Sequence, residues 1–140
     1  MVGLVVATHG HLADELVSTA EQIVGKLEAV ATCSIGPGMS PEEIQNSISR
    51  ALASVDSGQG VIVFADLFGG TPCNLSLTLT RNHNLEVITG INLPMLLKAN
   101  SLRSEISPLP QLAAALTSYG QKNITCASEL MRNALLQREH

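Results

Sequence analysis

Apolar and polar positions fall into blocks along this chain, and the first block is the sharpest. Val2 to Ala7 is an unbroken run of Val, Gly, Leu and Ala. It is too short for a globular helix and rich in β-branched side chains, which predicts a buried parallel strand. Thr8, His9, Gly10 and His11 make a polar corner, after which Leu12, Leu16, Ala20 and Ile23 recur at helical spacing as far as Gly25. Ala29 to Ile35 reads as a second strand closed by Gly36-Pro37-Gly38. Ser40 then serves as a cap, Pro41 takes the first helical position and Glu43 completes a capping box, which predicts a helix to about Val55.

Val61 to Ala65 predicts a third strand that ends in Asp66. The loop Leu67-Phe68-Gly69-Gly70 follows, with Thr71 placed to cap a third helix and Pro72 at its first position; that helix runs to about His83. Leu85 to Thr89 is a fourth strand, and Pro94 opens a fourth helix. A helical pattern spans Ser107 to Tyr119, Ile124 to Ala127 reads as a last short strand, and Glu129 to Arg138 as a terminal helix.

Four strand-helix alternations with short loops predict a doubly wound α/β fold: a mainly parallel sheet of order 2-1-3-4 with helices on both faces. The whole chain, residues 1–140, reads as one domain, with a core over 2–127 and a C-terminal helix over 128–140. In that order strands 1 and 3 are neighbours, and the crevice above their carboxyl ends is the usual ligand position of such sheets. It receives Thr8 to His11 from one strand and Asp66 to Thr71 from the other, so His9 and Asp66 are expected to face each other.

Composition narrows the partners. Hydrophobic residues make up 45% of the chain and charged ones 14%, a balance that argues against disorder and suits strands covered on both faces. Tyr119, Phe64 and Phe68 are the only aromatics, so a flavin or a single-stranded nucleic acid would lack its stacking surface. The formal net charge of -4 provides no basic stripe, and no nucleic-acid partner is expected. Cys33, Cys73 and Cys126 are odd in number and without a CxxC, as reduced thiols are. With no signal-peptide pattern and no stretch near the roughly 20 apolar residues of a membrane span, a soluble cytoplasmic protein is expected.

A histidine opposite a carboxylate is an orienting pair. If Asp66 accepts a hydrogen bond from Nδ1-H of His9, the tautomer is fixed and Nε2 keeps a nucleophilic lone pair. Beside it, Gly69 and Gly70 allow close approach of backbone amides, Thr71 adds a hydroxyl, and a helix begins with its positive end towards the crevice. A nucleophilic imidazole next to an anion cradle points to a phosphoryl group carried on histidine. There is no GxxxxGK, no kinase glycine loop and no carboxylate pair for magnesium, so the donor is expected to be a phosphoprotein, with no cofactor.

Three stretches then become recognisable. Thr8-His9-Gly10, the run Asp66-Leu67-Phe68-Gly69-Gly70-Thr71-Pro72-Cys73-Asn74, and the run from Val87 to Met95 closely resemble the EIIA domains of the mannose family of the bacterial phosphotransferase system, over about residues 2–127. The resemblance implies a cytoplasmic phosphocarrier that takes a phosphoryl group from the small carrier HPr and passes it to an EIIB component. It would reach the membrane only through the EIIC/EIID permease. Motif for motif, His9 stands where the family's phosphorylated histidine does, Asp66 at its orienting carboxylate, and Thr71 where the family often has a serine that helps hold the phosphoryl group. The resemblance also implies a homodimer in which a C-terminal strand pairs with the partner's sheet, giving Ile124 to Ala127 a role. With no Ala/Pro-rich hinge before His140, the chain reads as a stand-alone EIIA.

Blander readings compete at single residues. His11 could join His9 and Asp66 around a metal, but a third nitrogen or sulfur ligand is not evident, and no metal is expected; His83 and His140 read as surface residues. Cys73 in a first helical turn is a candidate reactive thiol, with small core residue as the better reading. Phe68 and Met95 are read as an apolar rim for docking partners, with plain core as the alternative. A regulatory module whose state at His9 is sensed by another protein is the second functional reading, with the same chemistry.

Overall fold

In the computed structural model, which describes residues 1–138, strands β1 (Gly3–His9), β2 (Val30–Ile35), β3 (Val61–Ala65) and β4 (Leu85–Thr89) form one parallel sheet of order β2-β1-β3-β4. This is the expected topology, parallel throughout. Helices α1 (Leu12–Val24), α4 (Leu93–Leu102) and α5 (Leu109–Lys122) cover one face, and α2 (Pro41–Val55) and α3 (Thr71–Thr78) the other. Side chains of successive strand residues point to opposite faces. Leu4 and Val6 therefore join the core under α1, α4 and α5, while Val5 and Ala7 join the one under α2. Both faces being covered, β1 is buried from Gly3 to Thr8, which is why its sequence is apolar without alternation.

Two helix starts are fixed by the side chain of the capping residue. Ser40 Oγ accepts the Glu43 amide at 3.1 Å with Pro41 in the first turn, as the sequence predicts. Asn92 does the same for α4: its Oδ1 accepts the Met95 amide at 3.0 Å, and its Nδ2 donates to the Gly120 carbonyl at 3.0 Å. The helix therefore opens at Leu93, one residue before Pro94. At α1 the N-cap residue His11 makes no side-chain cap bond. Ala29 has φ +51, a left-handed residue that delays β2 to Val30. The third helix is shorter than its pattern: α3 ends at Thr78 and a 3-10 turn takes over at Leu79–Arg81.

The predicted strand over Ile124 to Ala127 is not formed. Residues 124–126 are irregular, and α6 (Ala127–Arg138) starts two residues before Glu129, with the Leu130 amide bonded to the Cys126 carbonyl. A short β-branched run becomes a strand only where a sheet edge pairs with it, and it joins neither β2 nor β4. No residue of α6 is buried. His140 lies outside the described residues. Among the described residues, no helix is long and apolar enough to cross a membrane.

At the amino edge of the sheet Arg103 is buried at 4% exposure. Its guanidinium donates to the carbonyls of Val2 (3.2 Å), Glu28 (2.6 Å) and Ala29 (3.4 Å) and to Asn100 Oδ1 (3.1 Å). Burial pulls its pKa down, and the nearby charge of Glu28 opposes that pull.

Candidate functional site

Strands β1 and β3 run in register up to Ala7 and Ala65, so His9 and Asp66 emerge side by side at the carboxyl edge. His9 shares the strand face of Val5 and Ala7, the side covered by α2 and α3. Its Nδ1 lies 2.8 Å from Asp66 Oδ2, and its backbone amide donates to the same oxygen at 3.0 Å. The other carboxylate oxygen accepts the Leu67 amide at 3.0 Å. Burial alone would raise the Asp66 pKa. The hydrogen bonds from the His9 ring and amide and the charge of His9 outweigh it and hold the carboxyl below its ordinary value. Asp66 is thus an anion that can only accept, so Nδ1 carries the proton and donates it. Nε2 is left without a hydrogen-bond partner among the described residues, on a side chain 49% exposed.

The glycine loop closes around the ring. Gly69 takes φ +83, a turn that an L side chain resists. Gly70 approaches so closely that a Cβ there would sit 3.0 Å from His9 Cε1. Asn74 reaches back from α3, its Nδ2 donating to the Gly69 carbonyl at 3.0 Å. Sequence reasoning assigned Asn74 no role; the signal was a side-chain amide one turn into a helix that follows two glycines.

Thr71 departs from its expected part. Gly70, in extended conformation, occupies the cap position of α3, and Thr71 is the first helical residue, with Pro72 second. The start of α3 carries no side-chain cap, and Thr71 makes no side-chain hydrogen bond among the described residues. Its exposed side chain lines, with His9 and Gly10, a groove of about 390 Å³ whose other walls are Ile35, Gly36, Pro37, Met39 and Ile44. A larger hollow of about 680 Å³ beside Arg103 and Pro108 lies at the opposite, amino edge of the sheet and holds none of the predicted site residues.

The two rim residues separate. Phe68 is 80% exposed with Leu67 beside it, on the loop that carries Gly69 and Gly70. Met95 is not on a rim: it is 4% exposed and packs with Leu96, Ala99 and Leu116. Its amide is held by the Asn92 cap, and its thioether occupies the space beside Gly120, where a Cβ would come within 2.3 Å of Met95 Cε. Cys73 is buried in the core-facing side of α3, as a packing residue is. His11 sits exposed at the start of α1, and His83 is half-buried rather than on the surface. Among the described residues, no three His, Cys, Asp or Glu side chains gather as a metal cluster.

The chain is 31% identical over 124 residues to the PTS system mannose-specific EIIAB component of Escherichia coli K12, covering 88% of this chain and 38% of that protein. It thus spans well under half the length of that relative. A mannose/sorbose specific IIA subunit from Enterococcus faecalis superposes with TM-score 0.80 at 31% identity, covering 89% of this chain and 92% of that one. The phosphotransferase system component EIIA from Streptococcus agalactiae superposes with TM-score 0.83 at 26% identity, over 92% and 99%. Residues 3–116 match the EIIA-man family, described as the PTS system fructose IIA component, and this chain belongs to that family.

Proposed function

We propose that the protein is a cytoplasmic phosphocarrier of a sugar phosphotransferase system, in which His9 accepts a phosphoryl group from phospho-HPr and passes it to an EIIB component. The observation that carries this reading is the 2.8 Å pairing of His9 Nδ1 with an ionised Asp66, which leaves Nε2 as the one ring nitrogen with a free lone pair. In the transfer, Nε2 attacks the phosphorus in line. The new N–P bond forms as the donor's N–P bond breaks, and the electron pair returns to the donor imidazole. Positive charge gathers on the His9 ring and is balanced by Asp66 through Nδ1-H. The phosphoryl oxygens are received by the Gly70 amide, the Thr71 hydroxyl and the N-terminal end of α3. Transfer to EIIB runs the same steps in reverse.

Phe68 and Leu67, exposed beside the loop, provide apolar contact for both partners. A homodimer belongs to the same reading, since α6 leaves Leu130, Met131, Leu135 and Leu136 more than half exposed. The names of the relatives mention mannose, fructose and sorbose, in keeping with a sugar chosen by the membrane component rather than by this domain.

Intact-mass measurement at alkaline pH after incubation with phosphoenolpyruvate, Enzyme I and HPr tests the assignment. One added phosphoryl group is expected, labile in acid and absent from His9→Ala. A phosphorylated His9→Ala protein would refute it.

A further inference from the structure

Thr8 is a polar residue inside an otherwise apolar core. It follows Leu4 and Val6 on the same face of β1, both apolar, and is itself fully buried. A buried hydroxyl persists where it is hydrogen-bonded in both senses, and Thr8 is: Oγ1 accepts the Ala13 amide at 2.8 Å and donates to the His9 carbonyl at 3.1 Å. The first bond replaces the cap that His11 does not supply to α1. The second reaches the peptide of the phosphoryl-accepting histidine.

We propose that Thr8 is a positioning residue for phosphoryl transfer, fixing His9 by clamping its carbonyl while Asp66 clamps its amide. Three bonds then define the histidine. Asp66 Oδ2 takes the ring Nδ1-H and the backbone N-H, and Thr8 takes the backbone C=O. The next residue, Gly10, has φ +58, a conformation in which glycine itself supplies little restraint. The Gly10 amide is anchored to the Ile35 carbonyl at 2.9 Å, so the peptide between His9 and Gly10 is held on one side by β2 and on the other by Thr8. Without the hydroxyl, the His9 carbonyl is released and the Ala13 amide loses its partner, and Nε2 samples directions other than the line of attack. Misplacement of a reacting atom acts on the chemical step and leaves docking of the donor intact.

This proposal rests on the phosphocarrier reading, and the experiment separates the two. Thr8→Val keeps the shape of the side chain and removes both hydrogen bonds; Thr8→Ser keeps both. Transfer from phospho-HPr would be timed under conditions where all proteins are folded by circular dichroism, alongside 13C relaxation of the His9 Cε1 position. Thr8→Val should lower kcat by about 10-fold to 100-fold with KM for phospho-HPr and the pH profile unchanged, because the Asp66 pairing survives. Its His9 ring should be more mobile, and Thr8→Ser should restore both readouts. If Thr8→Val does not fold, Thr8→Cys, with a weakly bonding thiol, should show the same losses in smaller measure. A folded Thr8→Val with wild-type kcat and wild-type ring order would overturn the proposal, leaving Thr8 as a helix cap only. If the wild type itself takes no phosphoryl group from phospho-HPr, the functional reading fails, and the ring-order comparison still decides whether Thr8 fixes His9.

Discussion

Gly70 shows how little room the site leaves at the level of single atoms. Its φ and ψ, -77° and 167°, are open to any residue, so alanine would be accepted by the backbone. The added Cβ would stand 3.0 Å from His9 Cε1 and 3.2 Å from Leu67 Cδ1, so the imidazole must move. Gly70→Ala should cost under about 1 kcal/mol of stability yet slow phosphoryl acceptance clearly, which denaturant unfolding and timed transfer from phospho-HPr would measure separately. Asp66 acts on the same ring through Nδ1. Asp66→Asn removes the charge that balances the imidazolium and should slow transfer by about 10-fold to 100-fold. Asp66 also predicts an acid response. Its folded pKa lies below its ordinary 3.8, so its stabilisation is complete above that value and is lost as pH falls through the folded pKa. Urea midpoints between about pH 6 and about pH 2 should therefore fall further for the wild type than for Asp66→Asn.

His9 and Asp66 were legible in the sequence because each stands within two residues of the end of an apolar run, and parallel strands in register deliver their ends together. Thr71 and Met95 were not. Thr-Pro fits a cap followed by a first position as well as it fits positions one and two, and here the extended Gly70 takes the cap. Met95 follows Asn92-Leu93-Pro94 in a loop motif and so reads as exposed. That it turns inward depends on Gly120, a residue far along the chain that no local pattern connects to it.

Among the elements, α4 and α5 depend on one side chain. Asn92 caps the first and holds the carbonyl of Gly120 near the end of the second. Asn92→Ala leaves the Met95 amide and that carbonyl without these partners and should cost about 1–2 kcal/mol, read as a lowered denaturation midpoint. Asn92→Asp keeps the cap but turns a carboxylate oxygen towards the Gly120 carbonyl, and should recover less than half of that. The central strands β1 and β3 could be recognised because burial on both faces leaves them almost wholly apolar, the edge strands β2 and β4 because β-branched residues recur in them between turn residues, and α2 because Ser40, Pro41 and Glu43 announce its start. The strand expected at Ile124 to Ala127 could not be judged from the same cues. Strand formation there needs a pairing edge, and this is a property of the assembled sheet, or of a second copy, rather than of four residues.

The molecule as a whole is organised by its two ends. At the carboxyl edge the strand ends present His9 and Asp66; at the amino edge Arg103 gathers the carbonyls of Val2, Glu28 and Ala29 and so ties β1 and the entry to β2 to the end of α4. Segment 124–138 belongs to neither end. Every residue from Ile124 to Arg138 is exposed, and among the described residues no side chain of α6 is buried in the domain. A tail that buries nothing contributes little to the stability of the domain, and a tail that shows Leu130, Met131, Leu135 and Leu136 to water is stabilised by association. Removal of residues 124–140 should therefore leave the thermal midpoint within a few degrees of the full chain's at low concentration, with phosphoryl acceptance at His9 intact. Light scattering coupled to size exclusion should show the full chain as a dimer and the shortened one as a monomer. A shortened protein that remains dimeric would place the contact on the domain itself, with the tail outside it. A shortened protein that no longer folds would show that the tail packs on a partner as part of one shared core, because the isolated domain gives it nothing to pack against.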